Sequence, residues 1–260
     1  PTAYASDADD YINKGLAIRE TLLNNPLINF CLAPHAPYTV SDKTFERILT
    51  LSEQLNLPIH CHIHVTKQEV KDALKQNHMV PLERLHQLGL LGPGFIGVHA
   101  VHLSEDDLQL LASTGCNIAH CPTSNLKLAS GFAPVARMRQ LGINVGLGTD
   151  GAASNNRLDL FSEMRLASLL AKGVSGDASA LPAHEALRMA TLNGAIALGL
   201  GDEIGSITPG KAADLCAVSL ADLSSRPCYD PVSHLVNVMG REAVTHVWVA
   251  GKCCVDHKRL

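Results

Sequence analysis

Five short apolar segments, separated by stretches of helical periodicity, constrain the fold of this chain more than any other feature. They span residues 28–33, 58–65, 95–103, 116–121 and 144–149. Each is dense in apolar residues and bounded by Gly, Pro or Asn, as is typical of strands buried on both faces of a sheet. Because helical segments separate them at intervals of about 20 to 40 residues, the pattern predicts βαβ units and a parallel sheet.

Cap signals place helices between these strands. Ser41 and Ser104 are each followed by an amphipathic segment, and we expect each to cap a helix. Pro182 suits the first turn of another helix, which the sequence predicts to continue to about Leu198. No GxGxxG opens a helix after the first strand and no GxxxxGK[ST] occurs. A nucleotide-binding doubly wound sheet is therefore disfavoured, and a (β/α) barrel is favoured.

The composition narrows the function classes. Of the 260 residues, 46% are hydrophobic and 18% are charged, and the formal net charge is -4. A disordered chain is therefore excluded, and a nucleic-acid partner is not expected. No apolar run approaches the roughly 20 residues that span a bilayer, and residues 1–10 do not resemble a signal peptide. We expect a cytoplasmic protein without a membrane partner, whose eight cysteines, none of them in a CxxC pair, are reduced.

The predicted strands carry metal-ligand side chains at or near their carboxyl ends. These side chains are His35, His60, His62, His64, His99, His102, His120 and Asp150. In a parallel barrel such ends converge on one mouth, where active sites are built. Imidazoles and a carboxylate are the ligands of a catalytic divalent metal. A single histidine at a strand end is usually structural, but ligands at five successive ends predict a metal-dependent active site.

Side-chain alternation limits how many of these histidines face the mouth. His60, His62 and His64 lie two residues apart and are predicted to share one face of their strand. They lie at different depths of that face, so only one or two of them can reach a metal. His99 and His102 lie three residues apart and are predicted to point to opposite faces, so only one of them faces the barrel interior.

Longer motifs resemble one known family. APHAPYTVSD, HCHIH followed by TKQEV, HCPTSNLKLASG, GTDGAASNNRLDLFSEMRLASLLAKG and GSITPGKAADL occur in this order. Together they resemble the methylthioadenosine/S-adenosylhomocysteine deaminase branch of the amidohydrolases, which is close to the chlorohydrolases and guanine deaminases. The resemblance covers nearly all 260 residues. It implies a (β/α)8 barrel of TIM type, with a small β-sandwich built from both termini.

The resemblance also predicts which part of that fold is present. The family's first strand carries an HxH pair of metal ligands, and no histidine precedes residue 28 here. We therefore expect an incomplete barrel, with its last five βα units in residues 1–200 and the first three strands outside the chain. Residues 201–260 are predicted to form the C-terminal part of the small β module. Within it, AVTHVWVAGKCCV reads as a hairpin that turns at Ala250 and Gly251.

The reaction implied by the resemblance is hydrolytic deamination of an adenine nucleoside thioether, with release of ammonia. His62 takes the place of a metal ligand, and Asp150 that of the aspartate that binds the metal and accepts a proton from water. His99 takes the place of a histidine that contacts the attacking water or the leaving nitrogen. One divalent metal ion, zinc in the first instance, is the implied cofactor.

The remaining implied roles concern the small-molecule nucleoside substrate. His35 takes the place of a histidine that hydrogen-bonds the substrate, and His99, His120 and Asn125 are placed in the same pocket. An incomplete barrel also exposes the edges of its outer strands, and such edges favour pairing with other chains. Association into a homo-oligomer is therefore a further expectation.

One substitution departs from the family pattern and leaves alternatives open. The family has a glutamate three residues after the His62 position, in the pattern HxxE, and this chain has Val65. Valine cannot carry a proton, and Glu69 lies one turn into the following helix, a poor substitute by reach. A chlorohydrolase or another purine or triazine aminohydrolase would use the same ligands. A non-catalytic relative that keeps only the scaffold is the third alternative.

Overall fold

A four-stranded parallel sheet forms the centre of the molecule. A computed structural model describes residues 3–260, apart from the side chain of residue 224. The strands are β1 (Ile59–Ile63), β2 (Phe95–His99), β3 (Asn117–His120) and β4 (Asn144–Leu147). They lie in the order β1-β2-β3-β4, each pairing in parallel with the next. Because spatial order follows chain order, the carboxyl ends of all four strands meet at one edge, as in a (β/α) barrel that is not closed.

Helices cover the sheet and connect its strands. They are α1 (Ala8–Leu22), α2 (Asp42–Leu55), α3 (Lys67–Asn77), α4 (Pro81–Gln87), α5 (Glu105–Thr114), α6 (Pro122–Lys127), α7 (Val135–Gln140), α8 (Leu160–Ser175), α9 (Ala183–Met189), α10 (Leu192–Ala197) and α11 (Pro231–Asn237), with 3-10 turns at Leu223–Ser225 and Arg241–Ala243. Both predicted caps are confirmed. Ser41 accepts a hydrogen bond from the Thr44 amide, and Ser104 forms a reciprocal capping box with Asp107. None of the described helices is long and apolar enough to cross a membrane.

The core lies between the sheet and the helices that follow each strand. Phe45, Leu85, Leu111 and Met138 pack there, each with no exposed surface. Strand β2 is buried along its whole length. At its centre, a Cβ on Gly97 would lie 2.4 Å from the Ile63 side chain. The Ile63 side chain therefore occupies the volume that a side chain at position 97 would need, and a residue larger than glycine would disrupt this packing.

The first predicted strand, 28–33, is not a regular strand. Only Leu32 forms a bridge, with Ile59. The Leu32 carbonyl accepts a hydrogen bond from the His60 amide, and the His35 carbonyl accepts one from the His62 amide. Pro34 lies between them and has no N–H to donate, so the ladder is interrupted. The segment still runs beside β1, and it brings His35 to the same edge of the sheet as His62.

The predicted helix from Pro182 to Leu198 is two helices. Thr191 has φ -132° and ψ -97°, which ends the helical path between α9 and α10. After this break the backbone of α10 lies against β4, where a Cβ on Gly146 would lie 3.1 Å from the Gly194 Cα. The Asn193 side chain donates to the Val145 carbonyl at 3.0 Å. The helical periodicity of the sequence continues through the break, so it does not reveal it. The contact of α10 with β4 is what separates the two helices.

The C-terminal module is a three-stranded antiparallel sheet in the order β5-β6-β7. Its strands are Leu215–Val218, Val244–Val249 and Lys252–Val255. The predicted hairpin is confirmed: Ala250 and Gly251 form the turn with φ 49° and 78°, as in the hairpin turns that match strand twist. All eight cysteines are free thiols. The predicted domain boundary at residue 200 stays a prediction, as does the cytoplasmic location.

Candidate functional site

Three metal-ligand side chains meet at the carboxyl edge of the parallel sheet. His62 lies near the end of β1, His99 ends β2, and Asp150 follows β4. One ligand atom from each lies within 4.8 Å of the other two. His99 Nε2 is 3.9 Å from Asp150 Oδ2, and the two imidazole rings stack with centroids 5.3 Å apart. Since metal–ligand bonds are about 2 Å long, these atoms would need to move together by about 1.5 Å at most to bind one ion.

Hydrogen bonds set which ring nitrogen is free in each histidine. His62 Nδ1 donates to the His35 carbonyl at 2.6 Å, and His99 Nδ1 donates to Asn125 Oδ1 at 2.8 Å. A neutral imidazole has one donor and one acceptor nitrogen. Both residues therefore carry their lone pair on Nε2, and for His99 this is the atom nearest Asp150. Such outer hydrogen bonds are typical of histidines that bind metals.

Asp150 is held as an ionised carboxylate. Its Oδ2 accepts from Ser124 Oγ at 2.6 Å, and its Oδ1 accepts from the Gly151 amide at 2.7 Å. Burial by itself raises the pKa of Asp150, but the hydrogen bonds from Ser124 and Gly151 lower it below the usual value. The backbone of Asp150 is left-handed, with φ 61°, a conformation that Asp and Asn tolerate best among non-glycine residues.

The imidazoles beside this carboxylate are held neutral. Burial lowers the pKa of His99, of His60 and of His35. For His99 the hydrogen bond to Asn125 acts in the opposite direction, but the net shift is downward. Neutral histidines can donate a lone pair to a metal, whereas protonated ones cannot.

His35 and His60 flank the cluster. The His35 ring lies with its centroid 5.1 Å from that of His62, and its Nδ1 is hydrogen-bonded to Thr39 Oγ1 at 2.9 Å. His35 is exposed, so its ring is accessible to a substrate. His60 has the same partial exposure as His62 in the alternating pattern of β1. His102 is hydrogen-bonded to the Ser130 carbonyl instead, so of the pair His99 and His102 only His99 joins the cluster.

His64 does not follow the predicted alternation. Strand β1 ends at Ile63, and His64 is left-handed, with φ 49°. Its ring is fully buried. Nδ1 donates to the His102 carbonyl at 2.8 Å, and Nε2 accepts from the Leu82 amide at 3.1 Å. The expectation that His64 shares the face of His60 and His62 is wrong, because its ring binds two backbone groups away from the cluster.

Replacing His64 with alanine is expected to destabilise the chain by about 3 to 5 kcal/mol. The substitution leaves two buried backbone groups without partners and opens a cavity. Denaturant unfolding of the two forms measures the difference. His86→Ala is the control, since His86 is exposed and exposed substitutions change stability by about 0.5 kcal/mol or less. Equal stability of the His64→Ala and unchanged chains would contradict the assignment.

His120 and Asn125 lie in a buried layer beside His99. They are 3% and 2% exposed, and His120 Nδ1 and Asn125 Nδ2 have no hydrogen-bond partner. Both residues line a cavity of about 10 Å³, together with Phe132. The structure therefore places Asn125 against His99, where it fixes the free nitrogen of that ring. The substrate-binding roles of His120 and Asn125 stay predictions.

Acidification is expected to lower the free energy of unfolding through His120. Burial, with a smaller electrostatic effect from the nearby His99, lowers the pKa of His120 from 6.5 to about 4. Between these values the unfolded chain binds the proton and the folded chain does not, so stability falls as the pH falls. The full effect is about 3 kcal/mol. Unfolding at pH 7 and pH 4 measures it, and His120→Phe should show a smaller loss; an identical loss would contradict this cause.

The carboxylate of Glu69, predicted to be a poor substitute by reach, lies close to Val65. Glu69 is 8% exposed, and its Oε2 accepts a hydrogen bond from the Val65 amide at 2.7 Å. Its Oε1 is buried without a partner. Thr66 caps α3 by accepting from the Glu69 amide. One carboxylate oxygen therefore binds the backbone where the helix begins, which keeps Glu69 at this position.

Glu163 on α8 was not predicted as a functional residue, but it hydrogen-bonds the segments on either side of the site. Its carboxylate accepts from the Thr123 amide at 3.0 Å and from Asn155 Nδ2 at 2.7 Å. It is buried and joins α6, which carries Ser124, to the loop that follows Asp150. The HCPTSNLKLASG and GTDGAASNN motifs contain the two segments that Glu163 joins, so the motifs indicate this region. The carboxylate between them is not apparent from the motifs alone.

Comparison of the chain with known proteins identifies the family to which it belongs. The model of the amidohydrolase family matches residues 7–254. The chain belongs to the amidohydrolase family. It is 48% identical over 259 residues to a 5-methylthioadenosine/S-adenosylhomocysteine deaminase of Teredinibacter turnerae, covering 100% of this chain and 59% of that protein. The chain thus spans about three fifths of that relative's length.

Solved structures of related proteins share this fold. An adenosine deaminase from Xanthomonas campestris with bound zinc matches with a TM-score of 0.98 and 48% identity, over 100% of this chain and 59% of that one. A triazine hydrolase variant matches with a TM-score of 0.92 and 25% identity, over 100% of this chain and 57% of that one. The predicted family resemblance and the predicted α/β fold class, an open TIM-type barrel with a small β module, are confirmed.

Proposed function

We propose that the protein is a metal-dependent hydrolytic deaminase of adenine nucleoside thioethers, of the methylthioadenosine/S-adenosylhomocysteine type. The observation that carries this proposal is the convergence of His62, His99 and Asp150, with ligand atoms within 4.8 Å of one another. The 48% identity to a deaminase of that name, along the whole chain, supports the substrate class. The substrate is then a small nucleoside, and ammonia is the product.

The donor set fits one divalent ion. The lone pairs on Nε2 of His62 and His99, with Asp150 Oδ2, would hold it. Two imidazoles and a carboxylate suit zinc in a catalytic site that keeps a position open. When bound, the ion would polarise a water molecule for attack on C6 of the adenine ring. The zinc in the Xanthomonas campestris neighbour supports this choice of metal.

The side chains of this chain would then move and hold protons. Asp150 is ionised and would accept the proton of the attacking water, while Ser124 and Gly151 keep its oxygens in place. His99 has its proton on Nδ1, bound to Asn125. Its Nε2 lone pair would therefore be free to hold the ion beside the reacting centre. His35, exposed at the rim, would hydrogen-bond the substrate and orient it.

Two other functions have specific support. The triazine hydrolase neighbour shares the fold with a TM-score of 0.92, which keeps a triazine hydrolase as a candidate, but its identity of 25% is well below the 48% of the deaminases. Val65 favours a non-catalytic relative, because no titratable group occupies that position. The retained cluster of His62, His99 and Asp150 opposes it, since a site without function has no reason to keep three converging ligands.

Substrate preference tests these alternatives. The protein, made at the length of its relatives and supplied with zinc, is given S-adenosylhomocysteine, methylthioadenosine and a chlorotriazine. We expect ammonia release from the two nucleosides to exceed chloride release from the triazine by at least about tenfold, the discrimination that a site built to hydrogen-bond its substrate provides. Faster triazine turnover would favour the second candidate. Turnover of none of the three, with zinc bound, would favour the third.

A further inference from the structure

A second group of metal-ligand side chains lies on the β module, away from the parallel sheet. His246, Asp256 and His257 each offer one ligand atom, and these atoms lie within 4.8 Å of one another. His246 is on β6, and the other two residues follow β7. Asp256 Oδ1 is 3.0 Å from His246 Nε2 and 2.6 Å from His257 Nδ1. One carboxylate oxygen therefore lies between two imidazole nitrogens.

The hydrogen bonds of Thr245 determine which nitrogen of His246 carries the lone pair. Thr245 Oγ1 donates its only hydrogen to the Ala217 carbonyl at 3.2 Å. The same oxygen is 3.0 Å from His246 Nδ1, so it must accept that N–H. In neutral His246 the lone pair is then on Nε2, and it faces the Asp256 carboxylate. Two acceptors 3.0 Å apart repel each other unless a cation lies with them, and that cation is either a proton or a metal ion.

The three side chains are carried by backbone that is already in place. The indole of Trp248 stacks on the His246 ring, with centroids 5.4 Å apart and planes 8° apart. The turn that carries the other two ligands is closed by two hydrogen bonds of 2.9 Å between Asp256 and Arg259. It is joined to β6 by the Lys258 amide, which donates to the Thr245 carbonyl at 2.9 Å. Because these backbone hydrogen bonds already order the turn, less conformational entropy remains to be lost when an ion binds.

We propose that His246, Asp256 and His257 form a second metal site, for a divalent transition ion such as Zn²⁺. Two imidazoles and a carboxylate suit Zn²⁺, Ni²⁺ and Cu²⁺. Zinc bonds of about 2.0 to 2.2 Å place tetrahedral ligand atoms about 3.3 Å apart. The two distances to Asp256 therefore need to lengthen by less than about 1 Å, and the two imidazole nitrogens, within 4.8 Å of each other, need to move together by about 1.5 Å at most. The side chains of Asp256 and His257 are 71% and 81% exposed, which leaves room for water as a fourth ligand.

Thr245 is the positioning residue of this site. By accepting from His246 Nδ1 it directs the Nε2 lone pair at Asp256, as outer hydrogen-bond partners do for metal-binding histidines. A bound ion would join β6 to the turn after β7 and stabilise the module by mass action. This site is independent of the candidate active site, because its ligands come from the other sheet.

Calorimetric titration of the metal-stripped chain with Zn²⁺ tests the proposal. The chain carries Asp150→Asn, so that the carboxylate of the active-site cluster is absent. We expect one zinc ion per chain, at least tenfold weaker binding with His246→Gln or His257→Gln, and about tenfold weaker binding with Thr245→Val. His86→Gln, at an exposed histidine outside the cluster, should bind as before. The loss with Thr245→Val is decisive, since threonine is not a ligand.

The exposed thiols of Cys253 and Cys254 need their own control, because thiolates also bind zinc. The Cys253→Ser/Cys254→Ser chain should retain the zinc ion with its affinity unchanged. Binding that disappears with the cysteines, or that persists in both histidine variants, overturns the site. So does the absence of any zinc binding by the Asp150→Asn chain. Circular dichroism of each variant confirms that these substitutions leave the fold intact.

Discussion

Replacing Val65 with glutamate is expected to raise ammonia release from S-adenosylhomocysteine by at least about a hundredfold. Deamination requires two proton transfers from water, one to the ring nitrogen and one to the leaving amine. A general acid–base group placed for that transfer contributes about 10² to 10⁴ in rate. Val65 is partly exposed, two residues beyond the end of β1, and the resemblance to the deaminases places the proton-carrying glutamate there. A carboxylate at this position would extend from the strand that carries His62.

Glu69 does not replace the missing group in the present arrangement. Its Oε2 is bound to the Val65 amide at 2.7 Å, so moving the carboxylate toward the cluster breaks a buried hydrogen bond at the start of α3. Breaking that bond costs about 1 to 3 kcal/mol. The residual activity of the Val65 protein is therefore expected to be low. If Glu69 carries the proton at this reduced rate, Glu69→Gln should remove the residual activity.

The comparison uses proteins made at the length of the relatives, of which this chain covers about three fifths. Initial rates of ammonia release with saturating zinc compare Val65, Val65→Glu and Val65→Gln. Glutamine has nearly the size and hydrogen-bonding capacity of glutamate but does not titrate, so it separates proton transfer from packing. The glutamine variant should show no gain. Equal rates for the valine and glutamate forms would mean that position 65 takes no part in the reaction.

The positions of site residues could be predicted from the sequence only when strand geometry alone determines them. His62 lies within a regular parallel strand, where period-two alternation follows from backbone geometry. His99 ends the next strand with φ 72°, so its place follows only from the convergence of the carboxyl ends. His64 was misplaced because alternation holds only while the backbone remains extended. Its left-handed conformation, with φ 49°, depends on the bonds that its ring makes with His102 and Leu82. Those partners are distant in sequence, so no local pattern contains the signal.

The difference between local and long-range contacts also explains which parts of the fold could be predicted. The caps at Ser41 and Ser104 were predictable because a cap is a contact within four residues. The break at Thr191 was not, because it results from the approach of α10 to β4 across about 50 residues of chain. The loss of the first strand was partly visible in Pro34, which cannot donate to a ladder. Asn125 and Glu163 act through other side chains, and only the folded chain brings those partners to them.

Replacing Asp150 with asparagine is expected to reduce zinc affinity at the candidate active site by at least about a hundredfold. Loss of an outer hydrogen-bond partner already costs about 10- to 100-fold in metal affinity, and Asp150 is itself a proposed ligand. Asparagine keeps the shape of the side chain and tolerates the left-handed backbone of this position, so the fold should not change. In the Val65→Glu protein the same substitution is expected to lower ammonia release by at least about a thousandfold, since it removes a ligand and a proton acceptor together.

Two controls separate the role of the charge from that of the surrounding structure. Ser124→Ala keeps the carboxylate and removes one hydrogen bond to it, so its zinc affinity should fall only about tenfold. Asp106→Asn changes an exposed carboxylate on α5 and should leave affinity unchanged. All forms carry His257→Gln, so that zinc on the β module does not contribute to the titration.

If Asp150→Asn binds zinc as tightly as Asp106→Asn, the carboxylate at the end of β4 is not a ligand. The catalytic role proposed for the cluster would then rest on the two histidines alone, which is too few for a zinc site of this type.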